Sequence, residues 1–193
     1  MIIKKLFFDL ETTGVDERKN SIHQMSGWIE MDDEIVDKFY WNVRPHPKAR
    51  IDEEALEVGN VTEEQIQSYA PMEEIYARLI KLLGKHIDKY NSKDKMFLVG
   101  FNNRSFDDKF FRKFFEYNND PYFGSWFWSH SIDVMVLASE DLIKERTKMK
   151  NFKLATVAKQ YGIEVDSDKL HDSNYDLELT RDIYRSITGR DLF

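Results

Sequence analysis

Residues 2–10 constrain the fold of this 193-residue chain more than any other segment. They form an apolar run interrupted only by Lys4 and Lys5, which is typical of a strand in the centre of a sheet. Two acidic residues, Asp9 and Glu11, stand at its end. Residues two apart share one face of a strand, so these carboxylates would repel each other and resist burial unless a divalent cation lies between them. If the strand ends before them, both simply face water.

The other hydrophobic patterns predict an α/β layer fold with a mixed sheet. Three strands come first, and helices alternating with strands follow, an order that is typical of such folds. The predicted elements after the first strand are strands at 22–31 and 35–43 around a hairpin turn at 32–34, a loop at 42–50, a helix from Thr62 that Pro71 interrupts, a strand at 96–101, a helix through 107–115, a strand or helix start at 132–136, and helices at 154–161 and 175–187. Thr62 and Gln65 fit a capping box, and Gly162 and Gly189 stand where the last two helices should end.

Composition narrows the chemistry and the compartment. There is no cysteine, so disulfides, thiolate zinc sites and thiol catalysis are excluded, and a metal would need oxygen or imidazole ligands, which favours magnesium or manganese. Neither a secretory signal nor an apolar stretch approaching the ~20 residues of a membrane span is found, and we expect a soluble cytoplasmic protein. The net charge of −7 argues against a wide basic nucleic-acid-binding face, but it allows a small site that holds a strand end through metals.

Two further carboxylates stand at the edge of predicted apolar helix stripes. Asp107 lies in the first turn of a helix whose stripe consists of four phenylalanines, and Asp176 lies one turn before a stripe that starts at Leu179. His171 comes five residues before Asp176. Taken singly, each acid is more simply a helix cap, and His171 an ordinary loop residue. Together with the acids of the first strand, they favour one oxygen-rich cluster for two Mg²⁺ ions about 3.5–4 Å apart.

Three segments resemble the motifs of the DnaQ-like 3′–5′ exonucleases, in their DEDDh group. The first is Asp9–Gly14, the second Asn103–Asp107 and the third His171–Asp176, and they follow the order of the family over almost the whole chain. One departure is the segment 101–104, which is one residue longer than the commonest spacing. It leaves open whether Asn102 or Asn103 fills the family's asparagine position.

The resemblance implies an RNase H-like three-layer α/β fold, with a five-stranded mixed sheet flanked by helices, in a single exonuclease domain over residues 1–193. It implies release of nucleoside monophosphates from the 3′ end of single-stranded DNA or RNA, with two Mg²⁺ ions for which Mn²⁺ could substitute. The implied metal ligands are Asp9, Glu11, Asp107 and Asp176, with His171 as the general base. The implied substrate contacts are Thr12, Thr13, Gly14, Leu56 and Asn103.

Alternative interpretations stay open at this point. The chain could be a proofreading subunit that serves a polymerase or DNA repair, and residues 191–193 faintly resemble a sliding-clamp binding peptide, although a standalone nuclease fits better. It could also be a catalytically inert binding module, but such a module would be expected to lack one of the five site residues. Trp126 and Trp128 could stack on bases, although core packing is the simpler interpretation. His130 and Asp133 receive no chemical role, and the sequence decides neither DNA against RNA nor the oligomeric state.

Overall fold

Strand β1 (Lys4–Thr12) lies in the centre of a five-stranded sheet in the computed structural model, which describes residues 2–170 and 172–189. The other strands are β2 (Ile22–Met31), β3 (Glu34–Asn42), β4 (Phe97–Gly100) and β5 (Ile132–Asp133). Their spatial order is β3-β2-β1-β4-β5. The pairs β1–β2 and β2–β3 are antiparallel, whereas β1–β4 and β4–β5 are parallel. The predicted mixed sheet is therefore confirmed.

Helices cover both faces of the sheet. Within the described ranges they are α1 (Glu53–Val58), α2 (Glu63–Gln67), α3 (Met72–His86), α4 (Asp107–Tyr117), α5 (Phe123–Trp126), α6 (Val134–Asp141), α7 (Leu154–Gln160) and α8 (Ser173–Thr188). Short 3₁₀ turns lie at Arg146–Lys148 and Ser167–Lys169. No helix in the described ranges is long and apolar enough to cross a membrane.

Strand β1 is apolar on both faces, which is why it needs a helical layer on each. Leu6, Phe8 and Leu10 belong to a core that includes α3 and the phenylalanines of α4. Phe7 belongs to a second core with α6, α7 and α8, and its ring meets Tyr184 of α8 edge-on at 5.6 Å between centroids. Because side chains alternate along a strand, the odd-numbered residues of β1 face α8.

Local sequence signals explain most of the connections. Asp32 and Asp33 both have positive φ, 46° and 72°, as a tight two-residue hairpin turn requires. The capping box of Thr62 and Gln65 is present at the start of α2. The segment 132–136, predicted as a strand or the start of a helix, contains both: a two-residue strand is followed directly by α6. Helix α1 was not predicted, because its six residues are too few to show a helical period.

Candidate active site

Asp9 and Glu11 lie inside strand β1, which continues to Thr12. The possibility that the strand ends before them is therefore wrong. Both side chains are partly buried, and they share the face of β1 that looks toward α8. In the register of the sheet, Glu11 lies opposite Gln24 of β2.

Asp107 reaches the same end of β1 from the first turn of α4. The last β4 partner of β1 is Val99, which pairs with Phe7, so β1 runs on past the end of β4. The backbone N–H of Leu10 donates to Asp107 Oδ1 at 3.2 Å in this gap. Asp107 is only 6% exposed, although it is an acid at the end of a helix. Its position is set by the place where β4 stops and by the stripe of phenylalanines that buries α4.

The loop between β4 and α4 is held by Asp133, a residue to which sequence analysis gave no role. Its carboxylate accepts hydrogen bonds from the backbone N–H groups of Asn102, at 3.0 Å, and Arg104, at 3.3 Å. It also caps α6 by accepting from Met135 N at 3.0 Å. An Asp just before a helix is the usual N-cap signal, which could have placed the residue but not its second set of partners.

The two asparagines of this loop differ in exposure. Asn102 is exposed and has a positive φ of 63°. Asn103, the predicted substrate contact, is fully buried, and its amide donates to Asp108 Oδ1 at 3.1 Å. Ser131 also donates to Asp108. The hydrogen bonds among Asn103, Asp108 and Ser131 hold the loop between β4 and α4 in place, and Asp108 directly follows Asp107.

Asp176 comes to the site in the first turn of α8. Asp172 caps this helix by accepting from Tyr175 N at 3.0 Å. Ser173 is buried and donates from its hydroxyl to Gln24 Oε1 at 3.1 Å, so the first turn of α8 is tied to strand β2. His171 lies outside the described residues.

The four carboxylates act on one another electrostatically. Burial raises the pKa of Asp9 well above its ordinary value, and the charges of Asp107, Glu11 and Asp176 raise it further. Burial, with a contribution from Asp176, raises the pKa of Glu11 to about 7. Burial also raises the pKa of Asp107, although the hydrogen bond from Leu10 N opposes the shift. The neighbours that act on Asp9 are all acids, so the fold concentrates negative charge here.

The donors at this end of the sheet are of the kind that hard divalent cations prefer, because carboxylate oxygens suit Mg²⁺ and Mn²⁺. Among the described residues, no three Asp, Glu or His side chains are already arranged closely enough to hold an ion. Like-charged carboxylates repel each other, so a bound cation would relieve the repulsion among these acids. The arrangement therefore supplies suitable ligand atoms in one neighbourhood.

A cleft of about 840 Å³ opens beside Glu11. Its walls come from the end of β1, the loop that follows and α1, and they consist of Leu10, Glu11, Thr12, Gly14, Val15, Arg50, Ile51, Asp52, Glu53, Glu54, Ala55, Val58 and Phe106. Gly14 has a φ of 157°, and a Cβ there would stand 2.3 Å from Asn20 and from Asp52. Glycine is therefore required for the chain to turn tightly at the mouth of the cleft.

The predicted substrate contacts fall in different places. Thr12 and Gly14 line the cleft. Thr13 is fully buried, and its hydroxyl donates to the carbonyl of Arg50 at 2.7 Å. Leu56 is buried in α1 and borders a separate cavity next to the cleft.

Two predicted aromatic contacts also receive a position. Trp126 is 3% exposed and packs in the core beside α4, as the simpler interpretation predicted. Trp128 is partly buried and stacks on Phe97, with 6.0 Å between ring centroids.

A mixed five-stranded sheet between helical layers, with acids from three elements at one end, defines the RNase H-like class of fold. A family model described as Exonuclease matches residues 6–184. Because this match covers most of the chain, the chain belongs to the exonuclease family, and the resemblance to the DnaQ-like 3′–5′ exonucleases of the RNase H-like superfamily is confirmed. No curated protein sequence matches the chain.

Solved structures of E. coli exonuclease I share the fold. Its zinc-bound complex with single-stranded DNA is 18% identical, with a TM-score of 0.76 over 98% of this chain and 41% of that chain. Its complex with a dT13 oligonucleotide is 20% identical, with a TM-score of 0.74 over 97% of this chain and 41% of that chain. The present chain therefore spans about two fifths of the length of these structures.

Proposed function

We propose that this chain is a metal-dependent 3′–5′ exonuclease that hydrolyses phosphodiester bonds and releases nucleoside monophosphates from single-stranded nucleic acid. The observation that carries the proposal is the convergence of Asp9, Glu11, Asp107 and Asp176 beside an open cleft. Buried acids that raise one another's pKa are costly to the fold. Groups of this kind cluster at functional sites, where a ligand offsets the cost.

The four carboxylates would hold two Mg²⁺ ions, with Mn²⁺ as a substitute. Asp9 would be the central residue of this set, because the charges of all three other acids act on it. Bound there, the metals would supply an acidified water and a stabilised leaving oxygen. Asp107 keeps one oxygen fixed by Leu10 N, which orients its carboxylate before any ligand arrives.

His171 is the proposed general base. It directly precedes Asp172, the N-cap of α8, so it belongs to the segment that also delivers Asp176. An ordinary histidine pKa near 6.5 allows it to accept a proton from water at neutral pH. General-base catalysis of this kind contributes typically ~10²–10⁴ in rate.

The cleft beside Glu11 is the proposed place for the terminal nucleotide. Val15 and Val58 are exposed on its walls, at 82% and 61%, and they offer apolar surface to a base or a sugar. Thr12 and Gly14 bring backbone close to this space. Thr13 and Leu56 lie behind the wall, so we expect them to shape the cleft. In the β4–α4 loop, the buried Asn103 is expected to act in the same indirect way.

Single-stranded DNA is the substrate that the comparisons favour, since the exonuclease I structures of similar fold are complexes with single-stranded DNA. A 3′ end of RNA is the other substrate to be tested, because the 2′-hydroxyl alone separates the two. The clamp-like residues 191–193 lie outside the described part of the chain.

The test is digestion of matched DNA and RNA oligonucleotides that carry a label at either the 5′ or the 3′ end, with Mg²⁺ and with chelator. A 5′ label should yield a ladder that shortens one nucleotide at a time, and a 3′ label should be released at once as a mononucleotide. Chelation should stop both. Internal cleavage, or the reverse polarity, would contradict the proposal.

Asp107→Asn is the variant that tests the site itself. It keeps the size of the side chain but removes its charge, and we expect a loss in kcat of about 10²–10³-fold, because groups that stabilise transition-state charge commonly contribute that much each. The matched control is Glu34→Gln, an exposed acid at the start of β3. It should retain full activity.

A further inference from the structure

Residues 144–153 form a strongly basic segment in an acidic protein. The segment carries five cationic side chains, Lys144, Arg146, Lys148, Lys150 and Lys153, and one acid, Glu145. Its formal charge is therefore +4, in a chain whose net charge is −7. All five cationic residues are exposed.

Most of these charges are not used within the protein. Lys148, whose side chain is 73% exposed, pairs with Glu145 at 2.8 Å. The guanidinium of Arg146 lies 4.4 Å from the centre of the Phe152 ring. Lys144, Lys150 and Lys153 form no salt bridge in the part of the chain that the structure describes, although the chain has 35 acidic residues. Exposed lysines without partners remain available to an external anion.

The backbone of the basic segment is fixed to the protein. Met149 and Phe152 pack against the core that contains α8. Asn151 Oδ1 accepts hydrogen bonds from Lys153 N at 3.1 Å and from Thr156 Oγ1 at 2.7 Å, which joins the segment to α7. A fixed backbone with outward-pointing cations presents charge at defined positions, and it loses less conformational freedom on binding than a mobile tail would.

The basic segment lies on the same side of the sheet as the candidate active site. Its partly buried Met149 and Phe152 pack against the core of Phe7 and α8, and the acids Asp9 and Glu11 look toward that same layer. Helix α6 begins at β5, where the parallel strands end, and its eight residues span roughly 12 Å before the segment starts. A nucleic-acid strand that leaves the site along α6 would therefore run toward these lysines.

We infer that the basic segment binds the phosphate backbone of the substrate strand upstream of the cleaved bond. This inference rests on the proposed function, because it takes the substrate to be single-stranded nucleic acid. The segment is not an amphipathic helix, the form that binding to a membrane surface usually takes. The negative net charge of the chain and its local basic segment are compatible, because the attraction for phosphate groups is confined to one side of the molecule.

The test compares K144Q/K150Q/K153Q with the wild type in binding to fluorescent single-stranded DNA by anisotropy, in chelator to prevent hydrolysis. For an oligonucleotide of about 30 nucleotides, the variant should bind about tenfold more weakly at low salt, and the slope of log K against log salt should fall by about 2, since each phosphate contact on a single strand contributes roughly 0.7. The rate of cleavage of an oligonucleotide too short to reach the segment should not change.

The control is K81Q/K89Q/K93Q, which removes the same charge from exposed lysines on α3 and on the connection to β4. It should bind the long oligonucleotide as the wild type does. Equal weakening in both variants would overturn the inference, because the effect would then be one of net charge. If the salt slope for DNA binding is unchanged in K144Q/K150Q/K153Q, the inference is also overturned. This holds even if that variant binds anionic vesicles more weakly than the wild type does. Failure of the wild type to cleave any oligonucleotide would overturn the proposed function but leave this binding comparison valid.

Discussion

Strand β1 carries buried charge at both ends of the face that looks toward α8. Opposite charges pair at one end, whereas like charges meet at the other. At the start of the strand, Lys5 is 1% exposed and pairs with Glu30 at 2.6 Å and with Asp33 at 2.7 Å. Arg181 of α8 completes the group by donating to Glu30 at 2.7 Å. At the other end, burial and the charges of Asp107, Glu11 and Asp176 raise the pKa of Asp9, and Asp9, Glu11 and Asp107 form no ion pair with a cationic side chain in the described part of the chain.

The difference separates a structural from a functional use of buried charge. Opposite charges in the first group satisfy each other and join β1, β2 and α8. The like charges of the second group destabilise the fold unless protons or cations bind. One strand therefore shows both cases, and only at the acidic end would a bound cation relieve repulsion between like charges.

The largest expected effect is on stability, at the Lys5 end of β1, where the buried charges are paired (the paired end). Glu30→Ala would leave Lys5 and Arg181 without their carboxylate, and removing one partner of a buried ion pair typically costs about 3–5 kcal/mol. The free energy of unfolding, measured by urea denaturation, should fall by that amount. The activity of the folded fraction should remain close to that of the wild type.

Glu74→Ala is the control for this prediction. Glu74 pairs with Arg78 on α3, where the two side chains are about half exposed, and such a pair contributes within about 1 kcal/mol. If the two variants lost equal stability, the paired end would have no special structural role.

A smaller effect, with the opposite sign, is expected at the acidic end. Glu11 has an ordinary pKa of 4.5 that the folded state raises to about 7. Between these values the folded state binds more protons than the unfolded state, so the free energy of unfolding falls as pH rises from 4.5 to about 7. Glu11→Gln should therefore be more stable than the wild type at pH 7 without metal, by about 3 kcal/mol, and equally stable below pH 4.5.

The difference between wild type and variant must be measured at each pH, because His23 acts in the opposite direction. Burial lowers the pKa of His23 to about 4, so its contribution to stability is lost as pH falls below 6.5. Adding Mg²⁺ at pH 7 should stabilise the wild type more than Glu11→Gln. Stability that is independent of both Mg²⁺ and this substitution would argue against a cation site here.

The sequence predicts the acidic end better than the paired end, for a physical reason. Acids beside apolar stripes conflict with burial, so Asp9, Glu11, Asp107 and Asp176 stand out as a set, although each alone is explained as a helix cap or an exposed acid. The α/β class also follows from the local hydrophobic periods and the order of the elements. The pairing of Glu30 with Arg181 joins residues 151 positions apart, and no local pattern contains it.

Supporting polar residues were missed for the same reason. Asp133 has the local signal of a helix N-cap, but its bonds to Asn102 and Arg104 exist only after β4 and β5 pair. The buried amide of Asn103 likewise depends on Asp108 and the tertiary fold. Residues that position a site are therefore harder to predict than residues that carry its charge.

The smallest expected effect concerns the hydrogen bond that joins the first turn of α8 to the sheet. Arg181 holds the helix at the paired end, and the hydrogen bond from Ser173 to Gln24 holds it beside Asp176. Ser173→Ala removes only that hydroxyl, so we expect a small loss of stability, about 1 kcal/mol. Because small displacements of reacting groups are costly, kcat should fall about tenfold with KM unchanged.

The control for Ser173→Ala is Ser139→Ala, which also removes one hydroxyl hydrogen bond, from Ser139 to Met135 O on the exposed side of α6. Its kcat should match that of the wild type. The affinity for Mn²⁺, measured by calorimetry, should fall several-fold in Ser173→Ala and not in the control, since only the first variant frees the turn that presents Asp176. Gln24→Leu also loses the hydrogen bonds from Gln24 to Tyr40 and Asn42, but adding Ser173→Ala to Gln24→Leu should lower kcat little further. Additive losses, or a rise in KM alone, would show that the two side chains act separately and that α8 is positioned by its paired end alone.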